Sequence, residues 1–250
     1  MPNVYIELLE KRNLTPNFWI SEEYFEKAGF RTLKEENDNS ITVWDGNQLV
    51  FPAIDINGEF LQGTNPIWSD FESYYDKWKE PKFLDYNYIY DPKNFLNLKG
   101  HEWAVFRKNI KKFPKRLNHS WSYLTGVHKD LSTEPVVEEW LRGIKSVHDE
   151  EVLLKYLESG ENKAILFDSA DKVYGINIWD ENYKFINYRY AICGKQDFVS
   201  EFLRYLFYTN RKILNSGKLV NDGGVLDSPE LERFKNKLNP VDIIKVYSWI

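Results

Sequence analysis

The pattern of apolar and polar positions is most legible in the last third of the chain. Lys163–Phe167, Val173–Trp179 and Tyr183–Ile192 are rich in β-branched and aromatic residues. Asp168–Asp171 and Asp180–Asn182 separate them as turns, so the pattern predicts three antiparallel strands. The period then changes. Phe198, Phe202, Leu203, Leu206, Ile213 and Leu214 keep near-helical spacing, which predicts one amphipathic helix over Phe198–Leu214 ended by Gly217. Lys218–Asn221 reads as a short strand, Pro229–Leu238 as a helix with proline near its start, and Val241–Trp249 as a closing strand.

Upstream the pattern is more broken. Ser21 predicts an N-cap for a helix over Glu22–Ala28, closed by Gly29. Ile41–Trp44 and Gln48–Ala53 flank Asp45-Gly46-Asn47 and predict a hairpin, since Asp-Gly supplies the positive φ that tight hairpin turns need. Tyr5–Arg12 fits a short helix or strand, Leu33–Asn39 a loop, and Phe71–Lys79 a helix. Pro81–Pro92 is a seam in which Tyr86, Tyr88 and Tyr90 alternate as in a strand. Asn94–Phe113 predicts a basic helix stopped by Pro114. Asn118–Ser132 reads as irregular, and helices are expected from Thr133 to about Val147 and over Glu150–Ser159.

Composition narrows the function class. At 250 residues, with 42% hydrophobic and 28% charged, the chain can bury a sizeable core. A net charge of −5 argues against binding nucleic acid by global charge, though a local basic patch remains compatible. Cys193 is the single cysteine, so no intramolecular disulfide forms and a reducing, cytoplasmic setting is expected. The first ten residues lack the basic and apolar regions of a signal peptide, and no apolar run reaches membrane-spanning length. The four histidines show no paired metal spacing, so no metal is expected.

The C-terminal order β-β-β-α-β-α-β resembles the GNAT acyltransferase arrangement. The fold class expected is therefore α+β, a GNAT-like mixed central sheet flanked by helices. Residues 1–80 form an N-terminal half carrying the hairpin, for which a second, degenerate GNAT-like half is one reading; residues 81–250 form the transferase core. In the GNAT fold two neighbouring parallel strands splay and the acyl donor lies between them. Here that pair would be Tyr183–Ile192 and Lys218–Asn221.

Two stretches sharpen the likeness. Tyr88–Phe113 carries a tyrosine-aspartate strand, the run Leu98-Lys99-Gly100 and a basic Arg107-Lys108-Asn109 helix. Leu219–Tyr247 carries Asn221-Asp222-Gly223-Gly224, a short lysine-bearing helix and Pro240 before the last strand. Both resemble the aminoacyltransferase domain of phosphatidylglycerol lysyltransferases, relatives of the Fem peptidyltransferases. The ending also resembles uncharacterised phage GNAT-like proteins. The chain departs from the lysyltransferase pattern where two glycines follow Asp222 in place of a longer acidic run. The resemblance implies an acyl-coenzyme A or aminoacyl-tRNA donor, with a small amine, a peptide or a nucleic-acid base such as modified phage DNA as acceptor.

Four groups of residues are candidates for that chemistry. Tyr190, Ala191 and Ile192 would pair with the donor, and Gly194, Lys195 and Gln196 would form its phosphate loop at a helix start. One glycine there, with Asp197, also fits an ordinary helix cap. Arg107, Lys108, Lys111 and Lys112 would bind phosphates, with Trp103, Phe106 and Phe113 either stacking on bases or turned to the core. Asp222, with Asn221, would serve as general base or orienting group. Arg189, in a buried strand, needs an anion or a carboxylate partner. The alternative reading is a non-catalytic module of the same fold that binds a nucleic acid or nucleotide.

Overall fold

The computed structural model describes residues 3–35, 39–61, 82–117, 119–144, 146–225 and 228–248. The helix expected over Phe71–Lys79 lies outside them. The N-terminal part opens with α1 (Val4–Lys11) and α2 (Glu22–Ala28). Ser21 caps α2 by accepting from the Tyr24 N–H, and Gly29 closes it at φ 77°. A small antiparallel sheet follows: β1 (Arg31–Glu35), β2 (Ser40–Asp45), β3 (Gln48–Leu49) and β4 (Ile54–Asp55), with β2 pairing to the other three. Leu33–Glu35, expected as loop, belongs to β1. Leu33 is exposed there, so the strand carries little of the apolar signal that marks a buried one.

Among the described residues the larger sheet holds seven strands in the order β11-β5-β10-β9-β8-β7-β6. They are β5 (Lys82–Tyr90), β6 (Trp121–Thr125), β7 (Lys163–Asp168), β8 (Val173–Glu181), β9 (Phe185–Cys193), β10 (Leu219–Asn221) and β11 (Asp242–Ser248). The β10–β9 pairing is parallel and every other pairing is antiparallel. The α+β fold with a mixed central sheet is therefore the one expected. β6 corrects the irregular reading of Asn118–Ser132. Trp121 and Leu124, on opposite faces of the strand, are both exposed, which hides the usual in-out alternation.

Helices between strands cover both faces. The basic stretch after β5 is three short helices, α3 (Asn94–Asn97), α4 (Ala104–Ile110) and α5 (Lys112–Arg116), not one. Leu98 and Gly100, at φ 42° and 101°, break it. Pro114 lies in the first turn of α5, where its missing N–H costs nothing. Next come α6 (Pro135–Leu141) and α7 (Val147–Glu158). The single helix expected over Phe198–Leu214 is α8 (Val199–Tyr208) and α9 (Arg211–Asn215), because the Asn210 side chain accepts from Lys212 N–H and restarts the turn. α10 (Pro229–Asn236) precedes β11.

Two apolar clusters result. On one face Tyr88, Tyr90, Ile186, Tyr188 and Val220 meet α4 and α8, with Phe95 stacked on Tyr208 at 4.0 Å and Tyr188 on Phe207 at 4.1 Å. On the other, Ile165, Ile176, Ile178 and Ile192 meet α6 and α7 in one cluster that also takes in Tyr5, Phe25, Phe30 and Phe51. No helix among the described residues is long and apolar enough to cross a membrane.

Candidate functional site

The site begins where two parallel strands stop pairing. β10 and β9 match Leu219 with Phe185, Val220 with Ile186 and Asn221 with Asn187. β9 then runs on to Cys193 against β8, while the chain after β10 stays on β5, with Asp222 N–H donating to Tyr88 and Gly223 accepting from Tyr88 N–H. A wedge opens between Tyr188–Cys193 and Asp222–Val225. β9 also bulges there: Ile178 faces Tyr190 and Trp179 faces Tyr188, leaving Arg189 as the extra residue. A bulge swings a side chain out of strict alternation and is common beside active sites.

Each face of the wedge carries a buried ion-pair network. On the N-terminal face Arg189 Nε and Nη2 bind the two oxygens of Asp180 at 2.5 and 3.0 Å. Asp180 also accepts from Tyr156 Oη at 2.6 Å and Asn187 Nδ2 at 2.9 Å. The guanidinium lies between the rings of Phe18 and Tyr24, 4.4 Å from each centroid. Burial is the largest influence and works against the charged Arg189, but Asp180, Tyr156 and Tyr24 together outweigh it and the pKa rises. Burial pushes the Tyr24 phenol up to about 12. The carboxylate that Arg189 required is thus Asp180, read from sequence only as the start of a turn.

On the opposite face Asp222 is 6% exposed. Its Oδ2 meets Arg204 Nε at 3.4 Å and accepts from Tyr208 Oη at 3.2 Å; its Oδ1 meets Lys235 Nζ at 3.4 Å. Lys235 also donates to the carbonyls of Asp222, Gly223 and Gly224. Burial holds the Lys235 ammonium below the usual lysine range, partly offset by Asp222. Lys235 lies in the lysine-bearing helix of the resembling stretch, whereas Arg204 and Tyr208 carry no motif of their own and are marked only by their meeting at Asp222. Asn221 is fully buried beside the network, its Oδ1 accepting from Gly223 N–H at 2.9 Å.

The glycines after Asp222 have separate reasons. Gly223 sits at φ 63°, with the Phe18 ring 3.2 Å from where a Cβ would lie. A Cβ at Gly224 would overlap the Asp85 carboxylate, which accepts from Val225 N–H at 2.9 Å, and would lie 3.0 Å from the Tyr86 carbonyl oxygen. Gly224→Ala is therefore expected to destabilise the fold by about 1–3 kcal/mol, the usual cost of overpacking. Urea melts of the two proteins measure it; equal midpoints would show that Asp85 yields freely.

The loop Gly194–Gln196 lies at the same end of the sheet, between two cavities. One, of about 650 Å³, is bordered by Arg116, His119, Lys172, Lys195 and Asp197. The other, of about 310 Å³, lies toward α6, bordered by Glu139, Tyr174 and Gly194. Lys195 is almost fully exposed, and Arg116 pairs with Asp197 at 2.9 Å. Lys112 and Arg116 both cover the Phe198 ring. Within β9, Tyr190 packs against Trp140 and Tyr156, Ala191 against the α8 side, and Ile192 in the opposite core. Cys193 is half-buried, and burial raises its thiol pKa.

The basic helix is divided in its use. Arg107 donates to the carbonyls of Leu98 and Gly100 and clasps that turn, while Lys108 and Lys111 are exposed. Trp103, Phe106 and Phe113 are buried in the core rather than presented for stacking. Among the described residues no three His, Cys, Asp or Glu side chains are grouped to hold a metal.

No protein-family model matches the chain, and no curated protein matches it. Solved structures do. A conserved protein of unknown function from Bacteroides thetaiotaomicron superposes with a TM-score of 0.67 at 14% identity, covering 98% of this chain and 91% of that one. L-PGS from Bacillus licheniformis gives 0.66 at 18% identity, covering 100% and 92%. The C-terminal domain of a putative lysylphosphatidylglycerol synthetase from Agrobacterium fabrum gives 0.55 at 12%, covering 98% and 91%. The fold is thus similar to that of lysylphosphatidylglycerol synthetase domains, as the two resembling stretches implied.

Proposed function

We propose that the chain is an acyl- or aminoacyltransferase whose donor enters the wedge between β9 and β10. The observation that carries the reading is the parting of these strands at Asn187 and Asn221, at the same end of the sheet as the cavity rimmed by Arg116, Lys172 and Lys195. The donor's reactive carbonyl lies in the wedge beside Tyr190–Ile192, and its phosphates lie along Gly194, Lys195 and Gln196. An acceptor amine or hydroxyl attacks that carbonyl; the tetrahedral intermediate collapses, and the thiol or ribose hydroxyl leaves with the acceptor's proton. Asp222 takes the orienting role, since both its oxygens already hold Arg204, Lys235 and Tyr208. Asn221 sets the wedge's floor.

An aminoacyl-tRNA is the favoured donor. The likeness to the lysylphosphatidylglycerol synthetase domains supports it, as does a loop with one glycine and a basic rim continued by Lys108, Lys111 and Lys112. Arg107, clasping the Leu98–Gly100 turn, shapes that rim. The acceptor is an amine or hydroxyl, with a nucleic-acid base among the candidates.

Melting the protein with acyl-coenzyme A, deacylated tRNA and aminoacyl-tRNA tests the reading. A donor at about a hundred times its Kd is expected to stabilise by roughly 2.7 kcal/mol. For tRNA, Lys195→Glu is expected to lower the salt slope of binding by about one. Binding with no transfer to any amine or hydroxyl would favour the non-catalytic module; silence from every donor would overturn the proposal.

A further inference from the structure

Asp180, Asn187 and Asn221 form a polar row across β8, β9 and β10, each in register with the next. Arg189, at the bulge, lies on the same face. The orientation of each amide is fixed by its bonds. Asn187 Nδ2 donates to Asp180, so Oδ1 is its free end; Asn221 Oδ1 accepts from Gly223 N–H, so Nδ2 is free. Arg189 commits Nε and Nη2 to Asp180 and Ser21, leaving Nη1. Among the described residues these three atoms have no hydrogen-bond partner, although Asn187 and Asn221 are fully buried and Arg189 is 9% exposed. Buried polar groups are almost always paired, so three orphans around one row are a signal of something they are built to meet.

The cover over the row is Phe18. Its ring lies 4.4 Å from the Arg189 guanidinium and against Gly223, and it is half-buried. Asn17, beside it, has a buried Nδ2 that also lacks a partner among the described residues. An aromatic ring above the unpaired polar atoms offers Arg189 a cation–π contact but none of the hydrogen bonds that water or a polar ligand would give.

We propose that Asn187, Arg189 and Asn221 form a subsite for a carboxamide group, covered by Phe18 as a lid. A primary carboxamide sets its carbonyl oxygen beside a syn N–H, whereas a trans secondary amide points the two in opposite directions. The oxygen has two lone pairs, one for Arg189 Nη1 and one for Asn221 Nδ2, and the N–H donates to Asn187 Oδ1. An ester lacks that donor. A carboxylate lacks it too, and finds no net charge to attract it because Asp180 neutralises Arg189. The ligand is therefore a substrate with a primary carboxamide at this position, such as an asparagine or glutamine side chain or a C-terminal amide. The inference goes beyond the transfer reaction and stands independently of it.

Saturation-transfer NMR on the full chain tests it, with acetamide, methyl acetate and sodium acetate as probes. Acetamide is expected to bind, and to bind more tightly to Phe18→Ala. Asn187→Leu, equal in size but without the acceptor, is expected to weaken it about fivefold, the loss of one ordinary hydrogen bond. Asn221→Leu provides the same test through the donor if Asn187→Leu melts early. Equal binding of ester or acetate, or no amide binding to either wild type or Phe18→Ala, would overturn the subsite. The readout needs no turnover, so amide binding without transfer would remove the transferase reading and leave the subsite standing.

Discussion

Asp180→Ala is expected to lower stability by about 3–5 kcal/mol, because it leaves the Arg189 charge buried without its partner. In a chain of this size that corresponds to a fall in Tm on the order of 10 °C. The side chains involved are 0% and 1% exposed, so solvent screens almost nothing. Tyr156 and Asn187 lose an acceptor in the same change. The matching control is Arg189→Met with Asp180→Leu, which removes both charges and is expected to recover much of the loss. Thermal melts of the three variants decide it. If Asp180→Ala melts within a degree or so of wild type, water reaches Arg189 and the pair is not structural.

Asp222→Ala is the second large effect, and it separates two roles. A general base can be removed with turnover lost and stability kept. The geometry predicts otherwise: Asp222 is the carboxylate between Arg204 and Lys235, and removing it leaves two buried cations facing each other. The expected cost is again about 3–5 kcal/mol. Adding Lys235→Met to Asp222→Ala is expected to restore part of it by removing one of the two cations. Denaturant unfolding followed by circular dichroism measures both. An unchanged midpoint for Asp222→Ala would return the residue to the role of base.

Much of the frame was legible because its cues are local. Ser21 and Gly29 mark a helix by capping chemistry, Asp45-Gly46 marks a hairpin, and the β-branched runs from Lys163 onward mark strands. The failures also have physical causes. β6 and β1 expose large apolar residues, Trp121, Leu124 and Leu33, so burial does not mark out one inner face. The break between α8 and α9 falls in a run whose apolar spacing barely changes, so only the Asn210 cap betrays it. For the site, Arg189 in a strand demanded a carboxylate, yet nothing local pointed to Asp180, which is reached through strand register. Phe18 lies still further away in sequence, and its place over Arg189 depends on the N-terminal segment docking against β9. The interleaving of Trp103, Phe106 and Phe113 with basic residues left stacking and core both open, and the core holds all three.

The apolar cluster that joins Phe25, Phe30 and Phe51 to Ile176, Ile178 and Ile192 limits how this molecule can move. Swinging the N-terminal elements away as a rigid jaw would tear open a continuous greasy seam and wet it. Any admission of a substrate must then come from small rearrangements at the rim, a side chain rotating or a short loop lifting, and not from a clamshell motion.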